Sequence, residues 1–518
     1  MTRMEAFANE PLTDFSDAAH HTAQTEALIR VRGRLGSEYP ILVGGEEIRT
    51  NHKLTSINPA RIHEVVGEFQ QGTAELADRA VRAARDRFDT WKRTPAGERA
   101  EIAFRAAAVL RRRRFEINAW MIYEAGKSWI EADADTAEAI DFLEFYGREA
   151  LRYHGPQPVT PVPGEDNTFF YIPLGAGAIL SPWNFPLAIL CGMTTAAWVT
   201  GNTAVVKPAS ATPMMGRLYM DVVREAGLPD GVVNFVTGPG SRVGSTLVEH
   251  PFTRFVSFTG SKEAGLEINV GAGRTAPGQI WIKRVVAEMG GKNSILVDRE
   301  ADLDDAVSGV LASAFGFGGQ KCSACSRAVV DERVYDRFVE RLTEAAGAVV
   351  PGDPEDSNVF LGPVIDKPAF DKIMSYVAAG RREGRLLTGG GGDDRTGYFI
   401  QPTVFADVDP RARIAQEEIF GPVLAVIKAS NWDHALDIAN NTEFGLTGSV
   451  YTRDKDKQKQ AIEEFHVGNL YINRKCTGAK VGGHPFGGFN MSGTDSKAGG
   501  RDYLLLFLQA KAVASRFR

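Results

Sequence analysis

The chain has 518 residues, of which 43% are hydrophobic and 24% charged, an ordinary balance for a globular protein. That length exceeds one ordinary core and predicts at least two domains. The net charge of −6 excludes a general attraction to nucleic acid or to an anionic membrane surface. The four cysteines are too few for a disulfide framework, and the N-terminus lacks the apolar segment of a signal peptide. We therefore expect a soluble protein in a reducing, cytoplasmic compartment.

Three helices are predicted in the first third of the chain. Thr73 can cap the first, the second follows Pro95, and the acid-rich segment 132–146 forms the third. The basic run 111–114 is interpreted as the solvated end of a helix and not as a nucleic-acid-binding arm.

The segment 167–206 has no charged side chain and is long enough to cross a bilayer. Its prolines, glycines and asparagine would break a helix or leave polar groups unsatisfied in lipid, so we interpret it as buried strands, a turn and a helix. Short strands alternate with helices over 204–260 and again over 294–470. This alternation predicts two parallel sheets with right-handed crossovers and an active site in the cleft between them.

A glycine-rich loop, Gly318 to Cys325, contains a candidate nucleophile, Cys322. Substrate can reach a cysteine in such a loop, and backbone N–H groups around it can face an oxyanion. The alternatives are a small buried hydrophobic residue or, because Cys325 completes a C-x-x-C pair, a redox dithiol. The sequence has no second pair to complete a zinc site, so we expect no metal.

Two further segments place polar side chains that can serve such a nucleophile. Glu288 follows a strand predicted over 280–287 and precedes two glycines, a suitable setting for a general base. Asn184 lies between Pro182 and Pro186, which restrict its backbone and can aim its amide at a developing negative charge. Taken singly, a solvated surface glutamate and a turn asparagine are the commoner explanations.

Glycine-rich turns at strand ends predict anion binding. Phe258-Thr259-Gly260-Ser261 leads from a strand into a helix start, where N–H groups and the helix dipole can hold a phosphate. Gly238-Pro239-Gly240 with Gly244 is similar, but neither matches the G-x-G-x-x-G fingerprint of a standard Rossmann site. The acidic pair in Glu417-Glu418-Ile419-Phe420-Gly421-Pro422 can hold a ribose beside a ring, or can simply begin a strand.

Together these segments resemble the signatures of the aldehyde dehydrogenase superfamily, in that family's order, from about Asn58-Pro59 to Pro485-Phe486-Gly487-Gly488. The resemblance implies an α/β fold with two Rossmann-like parallel-sheet domains and a small β oligomerisation flap. It places the NAD(P)-binding domain with its N-terminal helices at 1–154 and 173–288, and the catalytic domain at 289–475. The flap takes 155–172 and 476–518, and through it a homodimer or a multiple of dimers is implied.

The family mechanism gives the three candidates distinct roles. The Cys322 thiolate attacks the aldehyde carbon, and the Asn184 side chain and the Cys322 N–H hold the oxyanion. Hydride transfer to the nicotinamide leaves a thioester, and Glu288 activates water to hydrolyse it. Glu288 is also a candidate for deprotonating the thiol.

The resemblance implies NAD as the cofactor. Lys207 matches the contact to the adenosine ribose, Ser261 the pyrophosphate contact and Glu418 the nicotinamide-ribose ligand, with Phe420 beside the ring. Ser210 stands where many NAD-preferring members have a glutamate, and the missing carboxylate removes repulsion against a 2′-phosphate, so NADP tolerance is also expected. The implied cofactor contacts are Ser181, Pro182, Trp183, Lys207, Ser210, Gly240, Gly244, Phe258, Gly260, Ser261, Gly265, Glu418 and Phe420.

Further segments, 131–135, 172–177, 319–327, 473–475 and 477–479, resemble one branch of the family. That branch oxidises L-glutamate γ-semialdehyde, which is in equilibrium with 1-pyrroline-5-carboxylate, to L-glutamate in the second step of proline catabolism. The resemblance implies that a serine after the nucleophile and the N–H groups of a Gly-Ala loop hold the substrate carboxylate. The implied substrate contacts are Glu138, Phe185, Ser323, Gly478, Ala479 and Phe486.

Several alternatives stay open from the sequence. A family member for another small semialdehyde, such as succinic semialdehyde, is the nearest. A non-catalytic scaffold is more remote, because both Cys322 and Glu288 are present. Lys321 and Arg284 either add positive potential at the site or serve the fold.

Overall fold

The computed structural model describes residues 5–516, and the chain begins with helices and short strands. In chain order these are α1 (Ala18–Arg32), β1 (Ser37–Tyr39), β2 (Ile41–Val43), β3 (Glu46–Ile48), β4 (Lys53–Asn58), β5 (Arg61–Gln70), α2 (Ala74–Trp91), α3 (Ala96–Arg112), α4 (Arg114–Ala125) and α5 (Trp129–Tyr153). The predicted helices are α2, α3 and α5, and Thr73 Oγ1 accepts the Leu76 N–H (3.3 Å) at the start of α2. Helices α1 and α4 and the strands β1 to β5 were not predicted from the sequence. The first three strands have only three residues each, too few to show a period.

The next elements build a seven-stranded sheet. After β6 (Glu165–Pro173), which lies outside this sheet, they are β7 (Ala176–Leu180), α6 (Ala188–Val199), β8 (Thr203–Lys207), α7 (Pro213–Glu225), β9 (Val233–Phe235), α8 (Ser245–Glu249), β10 (Phe255–Thr259), α9 (Lys262–Gly273) and β11 (Arg284–Glu288). The strand order is β11-β10-β7-β8-β9-β2-β3, and the first five strands are parallel. All five residues of β8 are buried, as expected for a strand covered on both faces. The uncharged segment thus forms strands, a turn and a helix, as predicted.

One strand differs from its prediction. β11 begins at Arg284 and not at Ile280, and Ile280 and Ile282 are exposed in the loop before it. Apolar composition alone suggested a longer strand, but only the last residues of this segment pair with β10.

The second half of the chain builds another seven-stranded sheet. Its elements are β12 (Asn293–Val297), α10 (Leu303–Phe315), β13 (Cys325–Asp331), α11 (Tyr335–Gly347), α12 (Lys367–Glu383), β14 (Arg385–Thr388), β15 (Gly392–Asp393), β16 (Phe399–Ile400), β17 (Thr403–Ala406), α13 (Arg413–Gln416), β18 (Val423–Ala429), α14 (Trp432–Asn440), β19 (Phe444–Gly445), β20 (Thr447–Tyr451), α15 (Lys455–Glu464) and β21 (Asn469–Ile472). The order in the sheet is β14-β17-β18-β13-β12-β20-β21, parallel except for β14, and β15, β16 and β19 lie outside it.

The chain ends with β22 (Phe489–Asn490) and β23 (Leu508–Arg516). β23 pairs antiparallel with β6 over nine residues and forms a ribbon apart from both large sheets. Two parallel-sheet units and this ribbon confirm the predicted fold class. The domain boundaries stay a prediction, and residues 1–4 and 517–518 of the predicted ranges lie outside the described residues. Between residues 5 and 516, no helix has the length and apolar character needed to cross a membrane.

The basic run 111–114 includes the end of α3, as predicted, but α4 begins within it at Arg114, and the Arg113 and Arg114 side chains are only 18% and 11% exposed. Each of its guanidinium groups has an acidic partner within the chain. Arg111 pairs with Glu10 and Glu144, Arg112 with Glu225, Arg113 with Glu116 and Arg114 with Asp133.

A buried carboxylate on α5 holds the segment before α1. Asp133 accepts hydrogen bonds from the N–H and Oγ1 of Thr13 (both 2.7 Å), from Nε and Nη2 of Arg114 (both 2.6 Å) and from Nδ2 of Asn118 (3.0 Å). The Asp133 side chain is 2% exposed, so these donors replace water completely.

We expect Asp133→Ala to lower the free energy of unfolding by about 3–5 kcal/mol, because the largely buried Arg114 charge would keep only its longer carboxylate contact, to Glu10 (3.5 Å). Urea unfolding followed by tryptophan fluorescence measures the loss. Asp304→Ala is the control, because Asp304 is 84% exposed and its pair with Arg341 contributes less than about 1 kcal/mol. Equal losses in the two variants would contradict the expectation.

Candidate active site

The nucleophile candidate Cys322 lies in the loop between α10 and β13. Asn293, at the start of β12, donates from Nδ2 to the carbonyl oxygens of Cys322 (2.7 Å) and Ala324 (2.9 Å). Its Oδ1 accepts the N–H of Thr447 in β20 (2.9 Å). Gly291 lies so close that a Cβ there would be 2.7 Å from the Cys322 oxygen. The loop is therefore fixed to two strands by one amide side chain.

The other cysteines are built into the fold. Cys325 is 2% exposed at the start of β13, and its thiol donates to the Arg327 carbonyl (3.4 Å). Cys191 and Cys476 are also buried, and all four thiols are free, whereas Cys322 is partly exposed. Cys322 is thus the thiol that a substrate can reach.

Asn184 reaches the nucleophile loop from the first sheet. It lies between β7 and α6, and its Nδ2 donates to the Gln320 carbonyl (3.0 Å). Gln320 is held in turn, since its Nε2 donates to Phe317 and Pro363 carbonyls (both 3.2 Å) and its Oε1 accepts the Ile365 N–H (2.9 Å). An amide carries two N–H donors, so one stays available beside the loop for an oxyanion.

The loop that carries Asn184 rests on an ion pair that the sequence analysis missed. Lys127 Nζ and Asp135 Oδ2 are 2.9 Å apart, and both side chains are fully buried. Asp135 Oδ1 accepts the Ala188 N–H (2.7 Å) at the start of α6. The Lys127 ammonium lies 4.0 Å from the centre of the Phe185 ring, a cation–π contact. The pair therefore fixes both the helix start and Phe185.

Glu288 is the last residue of β11, as the sequence predicted. Its Oε1 accepts the Ser496 hydroxyl (2.6 Å) and N–H (3.3 Å), and its Oε2 accepts the Gly488 N–H (3.3 Å). Burial raises the pKa of the carboxyl to about 7, although these donors and the Lys497 charge lower it. A carboxyl with a pKa near neutrality is suited to general-base catalysis.

Burial, with the nearby charges of Glu288 and Glu418, raises the pKa of the Cys322 thiol to about 12. Burial thus favours the neutral thiol before substrate binds, and the role of Glu288 in deprotonating Cys322 stays a prediction.

The candidate phosphate contacts gather at strand ends of the first sheet. Ser261 caps α9, its Oγ accepting the Ala264 N–H (3.2 Å). Lys207 ends β8, and burial lowers the pKa of its ammonium to about 8. A Cβ at Gly244 would lie 3.9 Å from the Lys207 side chain, and Gly240 has open space around it. The backbone at Gly240 is therefore unobstructed by neighbouring side chains.

The remaining contacts lie in the same region. Phe258 packs on Gly260, and a Cβ at Gly265 would be 2.3 Å from the Met289 sulfur, so a side chain there would require Met289 to move. Pro182 and Ser181 are buried, whereas Ser210 is partly exposed in the turn after β8.

Glu418 and Phe420 come from the second sheet and meet the first. Glu418 Oε1 accepts the Gly291 N–H (2.9 Å). The Phe420 ring stands edge-on to the Trp183 ring, with centroids 5.4 Å apart, and its backbone is left-handed at φ +61°. The predicted nicotinamide contacts therefore converge from distant parts of the chain.

Of the predicted substrate residues, Ser323 follows the nucleophile directly and the Glu138 carboxyl lies near it. Burial, with the Asp135 charge, raises the pKa of Glu138 to about 8. The Ser323 carbonyl accepts the Thr447 hydroxyl and the Cys476 thiol, both at 3.3 Å. Cys476 begins the turn that leads to Gly478, left-handed at φ +78°, and to the partly buried Ala479.

Phe486 lies on the C-terminal segment, where its backbone exchanges hydrogen bonds with Ala498 (2.7 and 2.8 Å). The two cations left open by the sequence have structural partners. Lys321 pairs with Glu131 (2.6 Å), and Arg284 donates to the carbonyls of Leu505, Leu506 and Leu508. Within the described residues no cluster of three or more histidine, cysteine or acidic side chains could hold a metal ion.

We expect Glu288→Gln to accelerate alkylation of Cys322 by iodoacetamide at pH 9, by up to about tenfold. The substitution removes a negative charge that raises the thiol pKa, and the rate follows the thiolate fraction. Mass spectrometry of the labelled protein gives the rate. Cys322→Ser should remain unlabelled, because the other thiols are buried. An unchanged or slower rate in Glu288→Gln would show that the charge does not act on the thiol.

Comparison with known proteins gives a consistent result. Residues 47–513 match the model of the aldehyde dehydrogenase family. A 1-pyrroline-5-carboxylate dehydrogenase of Geobacillus thermodenitrificans is 57% identical over 514 residues, covering 99% of this chain and 100% of that protein. A crystal structure of 1-pyrroline-5-carboxylate dehydrogenase from Thermus with bound NAD is 50% identical, with a TM-score of 0.98 and full coverage of both chains.

A second solved structure extends the likeness. Proline utilization A from Bdellovibrio bacteriovorus is 44% identical with a TM-score of 0.97, and the match covers 99% of this chain and 53% of that longer one. By the family match and by this identity over the whole chain, the protein belongs to the aldehyde dehydrogenase family.

Proposed function

We propose that this enzyme oxidises L-glutamate γ-semialdehyde to L-glutamate with NAD through a thioester on Cys322. The observation that carries the proposal is the Ser323 carbonyl, which ties the nucleophile loop to the turn bearing Gly478 and Ala479 through Cys476 (3.3 Å). A nucleophile and a set of backbone donors for a carboxylate are thereby held in fixed relation. The proteins of 50–57% identity described above carry the name 1-pyrroline-5-carboxylate dehydrogenase, which supports this substrate.

Acylation begins when the Cys322 thiol gives its proton to Glu288, which releases it to solvent. The thiolate then forms a bond to the aldehyde carbon and the carbonyl electron pair moves to oxygen. The available Asn184 N–H and the Cys322 N–H hold this oxyanion. Each such donor contributes about 10²–10³ in rate. The buried pair of Lys127 and Asp135 keeps the Asn184 loop in place before substrate arrives, so the donor needs no reorganisation.

A separate observation supports cofactor binding at this site. Ser181 Oγ is buried without a hydrogen-bond partner among the described residues, and it lies next to the Pro182-Trp183 segment. We assign Ser181, Lys207 and Ser261 to the adenosine and phosphate end, and Glu418 and Phe420 to the nicotinamide end. Bound NAD supplies the hydride acceptor.

Deacylation uses Glu288, whose pKa of about 7 leaves much of it ionised at neutral pH. The carboxylate takes a proton from water while the water oxygen attacks the thioester carbon. The oxyanion forms again beside Asn184, the C–S bond then breaks, and the acid leaves with the Cys322 thiolate restored.

The substrate carboxylate is assigned to the Ser323 hydroxyl and the N–H groups of Gly478 and Ala479. Fixed N–H groups bind an anion without adding a competing titratable charge. Phe185 and Phe486 are assigned to the aliphatic chain. Glu138 is assigned to the pocket wall on α5.

We also propose that this enzyme forms homodimers or a multiple of dimers. Its few cysteines favour a location in the cytoplasm. Leu266 and Val270 on α9 are 43% and 58% exposed, and Ile280 and Ile282 in the following loop are 85% and 95% exposed. Single exposed apolar residues are ordinary, but a cluster on one helix and its loop is typical of an interface. The exposed β6–β23 ribbon adds a second surface to such an interface.

Steady-state kinetics on a panel of aldehyde acids tests the substrate. We expect glutamate semialdehyde to have the highest kcat/KM, well above succinic semialdehyde, because only its chain places the carboxylate at Ser323. Cys322→Ala should abolish oxidation and keep cofactor binding, and Asn184→Ala should lower kcat by about 10²–10³. The substrate assignment fails if glutamate semialdehyde is not clearly preferred, and the mechanism fails if Cys322→Ala stays active.

The same panel, run with NAD and with NADP, tests cofactor choice. Ser210 brings no negative charge near a 2′-phosphate, so we expect measurable turnover with NADP. Ser210→Glu should reduce it selectively, and Ser210→Gln, which adds bulk without charge, is the control.

Light scattering with size-exclusion chromatography tests the interface. We expect the double substitution Leu266→Glu with Val270→Glu to shift the mass toward the monomer, because two charges would be buried unpaired. Ile462→Glu changes a residue that is 67% exposed on α15 and should leave the mass unchanged. A wild-type mass equal to one chain would refute the dimer.

A further inference from the structure

One C-terminal segment holds both oxygens of the general base. Residues 487–496, which we call the base-holding segment, supply all three donors to Glu288 described above. The segment is fixed to β11 by an antiparallel bridge between Glu288 and Gly493, and by the Met289 N–H to the Ser492 carbonyl (2.8 Å). Gly493 has φ +156°, and a Cβ there would come within 2.5 Å of the Ala287 carbonyl oxygen. The backbone at Gly493 therefore lies in direct contact with β11, the strand that carries Glu288.

Ser496 contributes the side-chain donor of this set. Its hydroxyl lies 2.6 Å from Glu288 Oε1, the short distance typical of a hydrogen bond to an ionised carboxylate. Ser496 is 4% exposed, so water cannot take the place of the hydroxyl without a change in packing.

Three titratable groups from other elements lie around Glu288. Cys322 faces it from the nucleophile loop and Tyr503 from the turn before β23. Lys497 stands nearby, but its ammonium donates to the carbonyls of Gly468 (2.8 Å) and Gly487 (2.7 Å). The cation therefore acts on the carboxylate only at a distance, and the hydroxyl of Ser496 makes the direct contact.

We propose that Ser496 is a positioning residue that orients the Glu288 carboxylate and keeps it ionised for water activation. The proposal rests on the proposed function, in which Glu288 is the base of deacylation. In the thioester state the hydroxyl holds Oε1, and the carboxylate then accepts the proton of the attacking water.

The same segment connects the base to the substrate pocket. Phe486 and Ala498 exchange backbone hydrogen bonds and so close a loop that contains the whole base-holding segment.

The pH profile of kcat for Ser496→Ala tests the proposal. Burial already raises the pKa of Glu288, and loss of the hydroxyl raises it further. We expect the acid limb to move up by about one pH unit, so that kcat falls about tenfold at pH 6 and changes less than about twofold at pH 9. The pre-steady-state burst of NADH, which reports acylation, should keep its amplitude. Ser496→Thr restores a hydroxyl and should return the limb toward its wild-type position.

Ser492→Ala is the matched control. Ser492 lies in the same segment, is fully buried, and accepts the Gly445 N–H on its hydroxyl (3.0 Å) without touching Glu288. It should lower stability and leave the acid limb in place. The proposal is overturned if Ser496→Ala has the wild-type profile, or if Ser492→Ala shifts the limb equally.

The variant Glu288→Gln distinguishes the role of Ser496 from the role of Glu288 itself. An inactive Glu288→Gln together with an unshifted Ser496→Ala would remove only the role of Ser496. A Glu288→Gln that turns over at the wild-type rate would remove the base itself, and with it both proposals.

Discussion

The hydrogen bonds of the Asn293 side chain are the constraint on which the site depends. One amide holds the carbonyls of Cys322 and Ala324 and accepts the Thr447 N–H, so the nucleophile loop follows the strands of the second sheet. Buried polar groups that are fully paired specify one arrangement, because any other leaves a donor or acceptor unsatisfied. Asn184, arriving from the first sheet, can then meet the loop at a fixed point, the Gln320 carbonyl.

Burial shifts the pKa values of the acidic groups and of the lysine in this site in opposite directions. It raises the pKa of the Cys322 thiol and of the Glu288 and Glu138 carboxyls, and it lowers the pKa of the Lys207 ammonium. Each shift favours the neutral form, as removal from water does. The protein counters it for Glu288 with three donors, and it places the buried Lys127 and Asp135 side chains 2.9 Å apart. Reactivity therefore depends on which buried groups receive partners.

The sequence predicted much of the fold, but unevenly. The long amphipathic helices and the alternation of strands and helices were readable, because their apolar periods extend over many residues. Short strands such as Ser37–Tyr39 were missed, since three residues carry no period and their pairing partner, β5, follows later in the chain. The strand predicted from residue 280 proved too long because Ile280 and Ile282, although apolar, are not covered by other parts of the chain. Periodicity reports which residues are apolar and not which are covered.

The sequence by itself determined the chemistry: a reachable cysteine, a carboxylate at a strand end and glycine turns at the positions of one family. It did so because these residue types must be present for the reaction. Only the tertiary structure decided how they are held, through Asn293, Ser496 and the pair of Lys127 and Asp135. Those side chains carry no local signal, because each acts on a backbone group or side chain that is distant along the chain, as Ser496 does on Glu288 across 208 residues.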